Sequence, residues 1–119
     1  MSSKLRSDAA ARRHAHATVL AALGDETRLV LLTHLADGRS WSIASLTEGS
    51  RLTRQAITKH LRVMEQARIV RCTRSGRESL FRYDPAPVLE LTEYLHLVSH
   101  QWDEALSRLQ TFVQKNPAD

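Results

Sequence analysis

Apolar residues recur along this chain at three- and four-residue intervals in five stretches and follow a strand pattern in two more. Val19, Leu20 and Leu23 predict a first helix that begins near Asp8 or His14 and ends at Gly24. The polar residues 1–13 ahead of it are expected to form a flexible N-terminal segment. Asp25 suits the cap of a second helix, which turns Leu31, Leu32 and Leu35 to one side and stops at Asp37-Gly38. Ser40 to Gly49 predicts a short third helix, capped by Ser40 or Ser42, with Ile43 and Leu46 facing inward. After Ser50-Arg51-Leu52, Thr53 caps a fourth helix from Arg54 to about Gln66. Its inward face is Ala56 or Ile57, Leu61 and Met64. Two helices joined by a short turn containing glycine have the spacing of a helix-turn-helix.

From Ile69 the period changes. Ile69 to Arg74 and Glu78 to Tyr83 read as two strands around Ser75-Gly76-Arg77, where Gly76 can supply the positive φ of a tight hairpin. A hairpin in this place, after the second helix of a helix-turn-helix, is a wing. Asp84-Pro85-Ala86-Pro87 ends it, since two prolines cannot continue a ladder and Pro87 suits a first helical turn. A final helix is predicted from about Pro87 to Gln114, with Val88, Leu91, Leu95, Val98, Trp102, Leu106, Leu109 and Val113 on one stripe. That stripe is too long for so small a body to bury, which points to a partner helix; packing within the chain alone is the plainer alternative. Residues 115–119 are expected to form a C-terminal tail. The fold class is therefore mostly helical with a small β-hairpin: four helices, two strands and a fifth helix, with one winged helix-turn-helix domain over residues 14–114.

A length of 119 residues fits one domain. Charge adds a direction to the picture. Between Arg51 and Arg82 nine basic residues face only Glu65 and Glu78, a net +7, whereas residues 83–119 carry a net −4. Positive charge gathered in one third of the chain is the footprint of a surface that meets phosphates, against the plainer reading of a solvated face. Cys72 is the only cysteine, so no disulfide within the chain is possible. The start of the chain has no apolar leader core, and no apolar run approaches membrane-spanning length. A cytoplasmic protein with no membrane partner is expected.

Three segments resemble the ArsR family, the arsenic-repressor-like winged-helix regulators. They are Ala21-Ala-Leu-Gly-Asp-Glu-Thr-Arg-Leu-Val-Leu-Leu, Leu52-Thr-Arg-Gln-Ala-Ile-Thr-Lys-His-Leu-Arg-Val-Met-Glu, and Ala67-Arg-Ile-Val-Arg-Cys-Thr-Arg-Ser-Gly-Arg-Glu-Ser-Leu-Phe-Arg-Tyr. The resemblance covers residues 15 to 113 and departs from the common pattern at Glu26, where the family often has proline. It implies a homodimer built on the first and last helices that binds an inverted-repeat operator and represses its own operon. On that reading Val19 and Leu20, with Leu91, Leu95, Val98, Trp102, Leu106 and Leu109, form the dimer interface.

The fourth helix is expected to lie in the major groove of double-stranded DNA. By spacing, Arg54, Gln55, Thr58 and Lys59 share its outer face, with Arg62 one turn on. Gln55 can pair bidentately with adenine, and Arg54 or Lys59 can reach guanine. Thr53 or Thr58 can bind phosphate or pack on a thymine methyl, and His60 contacts phosphate or closes the turn. On the wing, Arg74, Arg77 and the less certain Arg71 are candidates for phosphate or minor-groove contact.

Many relatives sense metals or thiol chemistry. The family's Cys-Val-Cys site would fall near the third helix, where Ile43 to Glu48 contains no cysteine. On the last helix His96 and His100 have zinc-compatible i, i+4 spacing near Glu93, Asp103 and Glu104, but the family's wider ligand spacing is not matched. His14 and His16 lie two apart and point to different sides of a helix. Cys72 reads as a small strand residue rather than a redox sensor. No cofactor or metal is expected, and the resemblance is closest to the branch without metal. A zinc-responsive repressor using His96 and His100 is the alternative. A winged helix that binds protein is a second, disfavoured by the cationic outer face. An enzyme is not indicated, because the chain has no phosphate loop, paired carboxylates or nucleophile with an evident base.

Overall fold

A computed structural model describes residues 2–116. The chain divides into two compact units, one through Val88 and one from Leu89 onward. In the first, α1 (Ser2–Leu23) is followed by α2 (Glu26–Leu35), a two-residue strand β1 (Trp41–Ser42), α3 (Ile43–Thr47), α4 (Arg54–Gln66), β2 (Val70–Ser75) and β3 (Glu78–Tyr83). The last element, α5 (Ala86–Lys115), supplies the second unit. The architecture is the expected winged helix-turn-helix with one further strand. The expected tail at 115–119 lies outside the described residues beyond Asn116.

α1 is helical from Ser2, so residues 2–13 continue the helix instead of preceding it. Its first turns contain no proline or glycine and carry the strong helix formers Lys4, Leu5, Arg6 and Ala9-Ala-Ala. Only Val19 and Ala22 of this helix are buried. Gly24 follows its end, yet the left-handed glycines of the chain are Gly38, Gly49 and Gly76. The last carbonyls of α1 are closed instead by Arg28, whose Nε donates to Ala22 O at 2.7 Å and whose Nη2 donates to Ala21 O at 3.1 Å.

α2, α3 and α4 each begin on a side-chain cap. Asp25 accepts from the Arg28 amide, Ser42 from Ser45 and Thr53 from Ala56, at 2.9, 3.0 and 3.1 Å. The third helix is shorter than the predicted Ser40–Gly49. Trp41 and Ser42 pair with Phe81 and Leu80 of β3, and extended backbone there leaves Ser42 as the first position from which a helix can start. Asp37, Arg39 and Trp41 brace the approach to β1: Arg39 Nε and Trp41 Nε1 both donate to the Asp37 carboxylate, and the Arg39 guanidinium stands 5.2 Å from the indole centroid.

The sheet is antiparallel in the order β1-β3-β2. Ser75 pairs with Glu78, so Gly76-Arg77 is a two-residue loop; a positive φ of 62° at Gly76 but not at Arg77 is the II′ pattern. α4 rests against α1, α2, α3 and β2. Leu35, Ile57, Leu61, Met64, Ile69 and Val70 form the fully buried centre of this unit. α4 and the β2–β3 hairpin are thereby seated on one core. Among the described residues, no helix is long and apolar enough to cross a membrane.

Candidate nucleic-acid interface

α4 owes its form to a sharp split between two faces. Ile57, Leu61 and Met64 are completely covered, while Arg54, Gln55, Lys59 and Arg62 are exposed. Arg54, Gln55, Thr58, Lys59 and Arg62 line one shallow depression on the outer side, and no acidic residue lines it. Five of the sequence candidates are thus brought together as one surface with three cationic heads around a glutamine amide.

The two threonines take different parts. Thr58 donates its hydroxyl proton to Arg54 O at 2.7 Å. A phosphate oxygen offers only acceptors, so Thr58 has no proton to give it, and its methyl group and hydroxyl lone pairs are what remain for a base edge. Thr53 Oγ1 accepts from the Ala56 amide, which leaves its own proton available to a phosphate at the N-terminus of α4. His60 stands apart from the set. It is half-buried, with Nδ1 3.4 Å from Arg28 Nη1 and 4.0 Å from Asp25 Oδ2. It holds the helix rather than lining its outer face.

On the wing, Arg74 pairs across from Ser79, Arg77 occupies the turn, and both are exposed. Arg71 and Arg82 face each other across the ladder. Arg71 Nε donates to Asp84 Oδ2 at 2.8 Å, which relieves that like-charge pair and takes Arg71 out of the free cationic set. The Ala86 amide and the Arg71 guanidinium together hold the Asp84 carboxyl below its usual range. The Arg28 amide does the same for Asp25, aided by the nearby charge of Arg28. Arg82, counted in the basic stretch of the sequence but not singled out from the other wing arginines, carries an exposed cation across from Arg71.

The fold is shared with known proteins. Residues 23–73 match a helix-turn-helix domain family. The HTH-type transcriptional regulator YuzN of Bacillus subtilis (strain 168) is 33% identical over 79 residues, which are 61% of this chain and 86% of YuzN. An ArsR-like transcriptional regulator from Rhodococcus sp. RHA1 superposes with a TM-score of 0.78 at 32% identity, over 86% of this chain and 93% of that one. The chain belongs to the ArsR family of transcriptional regulators. The fold also matches the transcriptional repressor BigR from Xylella fastidiosa, with a TM-score of 0.57 at 24% identity over 78% of this chain and 94% of BigR. These are the fold and family of DNA-binding regulators, not of enzymes.

In the regulator, α5 keeps its apolar stripe mostly open. Leu95, Trp102, Leu106 and Leu109 are 44%, 64%, 58% and 58% exposed, and Val98 is half-buried. Leu20 of α1 is 44% exposed. Val19 and Leu91, both expected at a dimer interface, are instead buried at 4% and 3%, so their side chains are already covered within the chain. Helical spacing puts His96, His100 and Glu104 on the side away from the stripe and Asp103 at its flank, and His100 Nε2 lies 3.1 Å from Glu104 Oε1. Among the described residues no three His, Cys, Asp or Glu side chains converge as metal ligands would. Cys72 is exposed on β2, not the covered strand residue that its sequence context suggested.

Proposed function

We propose that the regulator is a homodimeric, cytoplasmic repressor of the metal-free type, which sets α4 of each protomer into successive major grooves of an inverted-repeat operator. The observation that carries this reading is the acid-free outer face of α4, with Gln55 among Arg54, Lys59 and Arg62. Gln55 and either Arg54 or Lys59 read base edges, while Thr53, Arg74 and Arg77 grip phosphates. The exposed stripe on α5 and Leu20 of α1 support pairing with a second copy, and the repressor role of BigR, whose fold this chain shares, supports repression. The absence of cysteine from Ile43–Glu48 and the placing of His96 and His100 away from the stripe support an effector other than a metal.

The test is a footprint and mobility-shift titration on the promoter of the regulator's own operon at two salt concentrations. Gln55→Ala is expected to relax preference at one base pair per half-site, at a cost of about 1–3 kcal/mol for the preferred base. Arg77→Ala should weaken all sequences about equally and flatten the salt dependence by roughly one phosphate contact per protomer. Footprints and affinities identical to wild type in both variants would remove α4 and the wing from the groove. Release from DNA by zinc, abolished by His96→Ala or His100→Ala, would instead establish the metal-responsive alternative.

A further inference from the structure

Burial of Ile57, Leu61 and Met64 fixes which side of α4 faces the core, and a directional polar contact sharpens that rotation further. Base reading needs such precision. A side-chain tip roughly 6 Å from the helix axis moves by about 1 Å when the helix turns by about 10°, which takes a bidentate contact out of hydrogen-bond range.

His60 makes a directional side-chain contact from this helix to its neighbours. Its Nδ1 lies 3.4 Å from Arg28 Nη1, and the guanidinium that reaches it is itself clamped to α1 through Ala22 O and Ala21 O. Asp25 steadies the arginine from its other end, accepting from the Arg28 amide at 2.9 Å. An arginine offers only donors, so the contact requires Nδ1 to be the bare, accepting nitrogen of the ring. The end of α1, the start of α2 and the middle of α4 thus meet on one planar group.

We propose that Arg28, acting through His60, is a positioning residue for DNA recognition: it sets the rotation of α4 and so which base edges Arg54, Gln55 and Lys59 meet. The proposal rests on α4 being the groove helix. Because the same guanidinium closes α1, an element of the proposed dimer, it also ties the reading face to the part of the chain that spaces the two half-sites.

The experiment uses the full chain and a duplex that wild type selects from a randomised pool, with a scrambled duplex as reference. His60→Phe keeps a ring in the gap and removes the acceptor. It is expected to lower the ratio of selected to scrambled affinity by roughly tenfold, with affinity for scrambled DNA and its salt slope unchanged. His60→Gln restores an accepting oxygen and is expected to recover the ratio to within about threefold of wild type. Arg28→Lys keeps the charge without the fork and should lose the ratio as His60→Phe does, which covers the case of an unstable phenylalanine variant. A purely structural role would lower Tm without separating the phenylalanine and glutamine variants in specificity. The proposal is overturned if folded His60→Phe and Arg28→Lys keep the wild-type ratio, or if His60→Gln is as poor as His60→Phe. Gln55→Ala runs in the same panel: if it leaves base preference untouched, α4 is not the reading helix and both readings fall together.

Discussion

Replacing Arg68 by glycine and, separately, by alanine isolates the energy of one backbone conformation. Arg68 has φ of 64°, the left-handed region, immediately after α4 and its cap Ala67. Its amide bonds Glu65 O at 2.9 Å and the next amide, Ile69, bonds Met64 O at 3.1 Å, the paired closure of a Schellman motif in which glycine is the favoured residue at this position. The motif is locked by burial, since Ile69 and Met64 are both fully covered. A residue with a Cβ gives up about 1–2 kcal/mol in this conformation, and glycine gives back roughly 0.5–1 kcal/mol through its freer unfolded chain. Both variants lose the same charge at the helix end, so the helix-dipole contribution cancels between them. Arg68→Gly should therefore be more stable than Arg68→Ala by about 0.5–1 kcal/mol, a gap of roughly 2–6 °C in Tm by thermal circular dichroism. Any change in the salt slope of DNA binding should be equal in the two. Equal melting temperatures, or a more stable alanine variant, would refute the left-handed assignment and with it the account of how α4 turns into the wing.

Three further outcomes follow from burial, charge and the open stripe. Leu61→Ala removes a fully covered side chain on the inner face of α4 and should cost about 2–5 kcal/mol, lowering Tm by roughly 10 °C or more. Asp25, Asp37 and Asp84 all have carboxyls held below the ordinary 3.8, chiefly by backbone amides, so the folded state binds fewer protons than the unfolded. Their stabilisation is complete above about pH 4 and drains away as the pH falls through the depressed folded values; a Tm series in acid should show this, with Asp84→Asn losing part of the sensitivity. Leu106→Glu with Leu109→Glu should convert a dimer to a monomer in sedimentation and weaken operator binding more than tenfold, while a wild type that sediments as a monomer at the same concentration would sink the two-fold arrangement.

Most of the reading unit is visible in the sequence because local rules and tertiary packing agree there. Thr53 marks the start of α4, Ile57, Leu61 and Met64 mark its buried face, and Gly76 marks the turn of the wing, each through interactions within a few residues. What escapes is set by distant partners. β1 is two residues long, too short to carry any period, and exists because Trp41 and Ser42 meet Phe81 and Leu80 some forty positions later. The task of His60 is fixed by Arg28, 32 residues upstream, and spacing along α4 alone cannot assign it. Val19 and Leu91 share a period with exposed neighbours, so only the folded chain separates those already covered from those left open. The early start of α1 is a subtler case, where ordinary helix formers without an apolar face continue a helix that no burial demands.

The short strand β1 has a mechanical consequence. It is continuous with α3 through the Ser42 cap and laced to β3, the inner strand of the hairpin, so helix-turn-helix and wing share one stiff frame. A signal that lifted the hairpin would drag the first half of the helix-turn-helix with it. With α4 and the wing on DNA as proposed, grip on the sugar-phosphate rails and recognition of the bases would engage and let go as a single jaw.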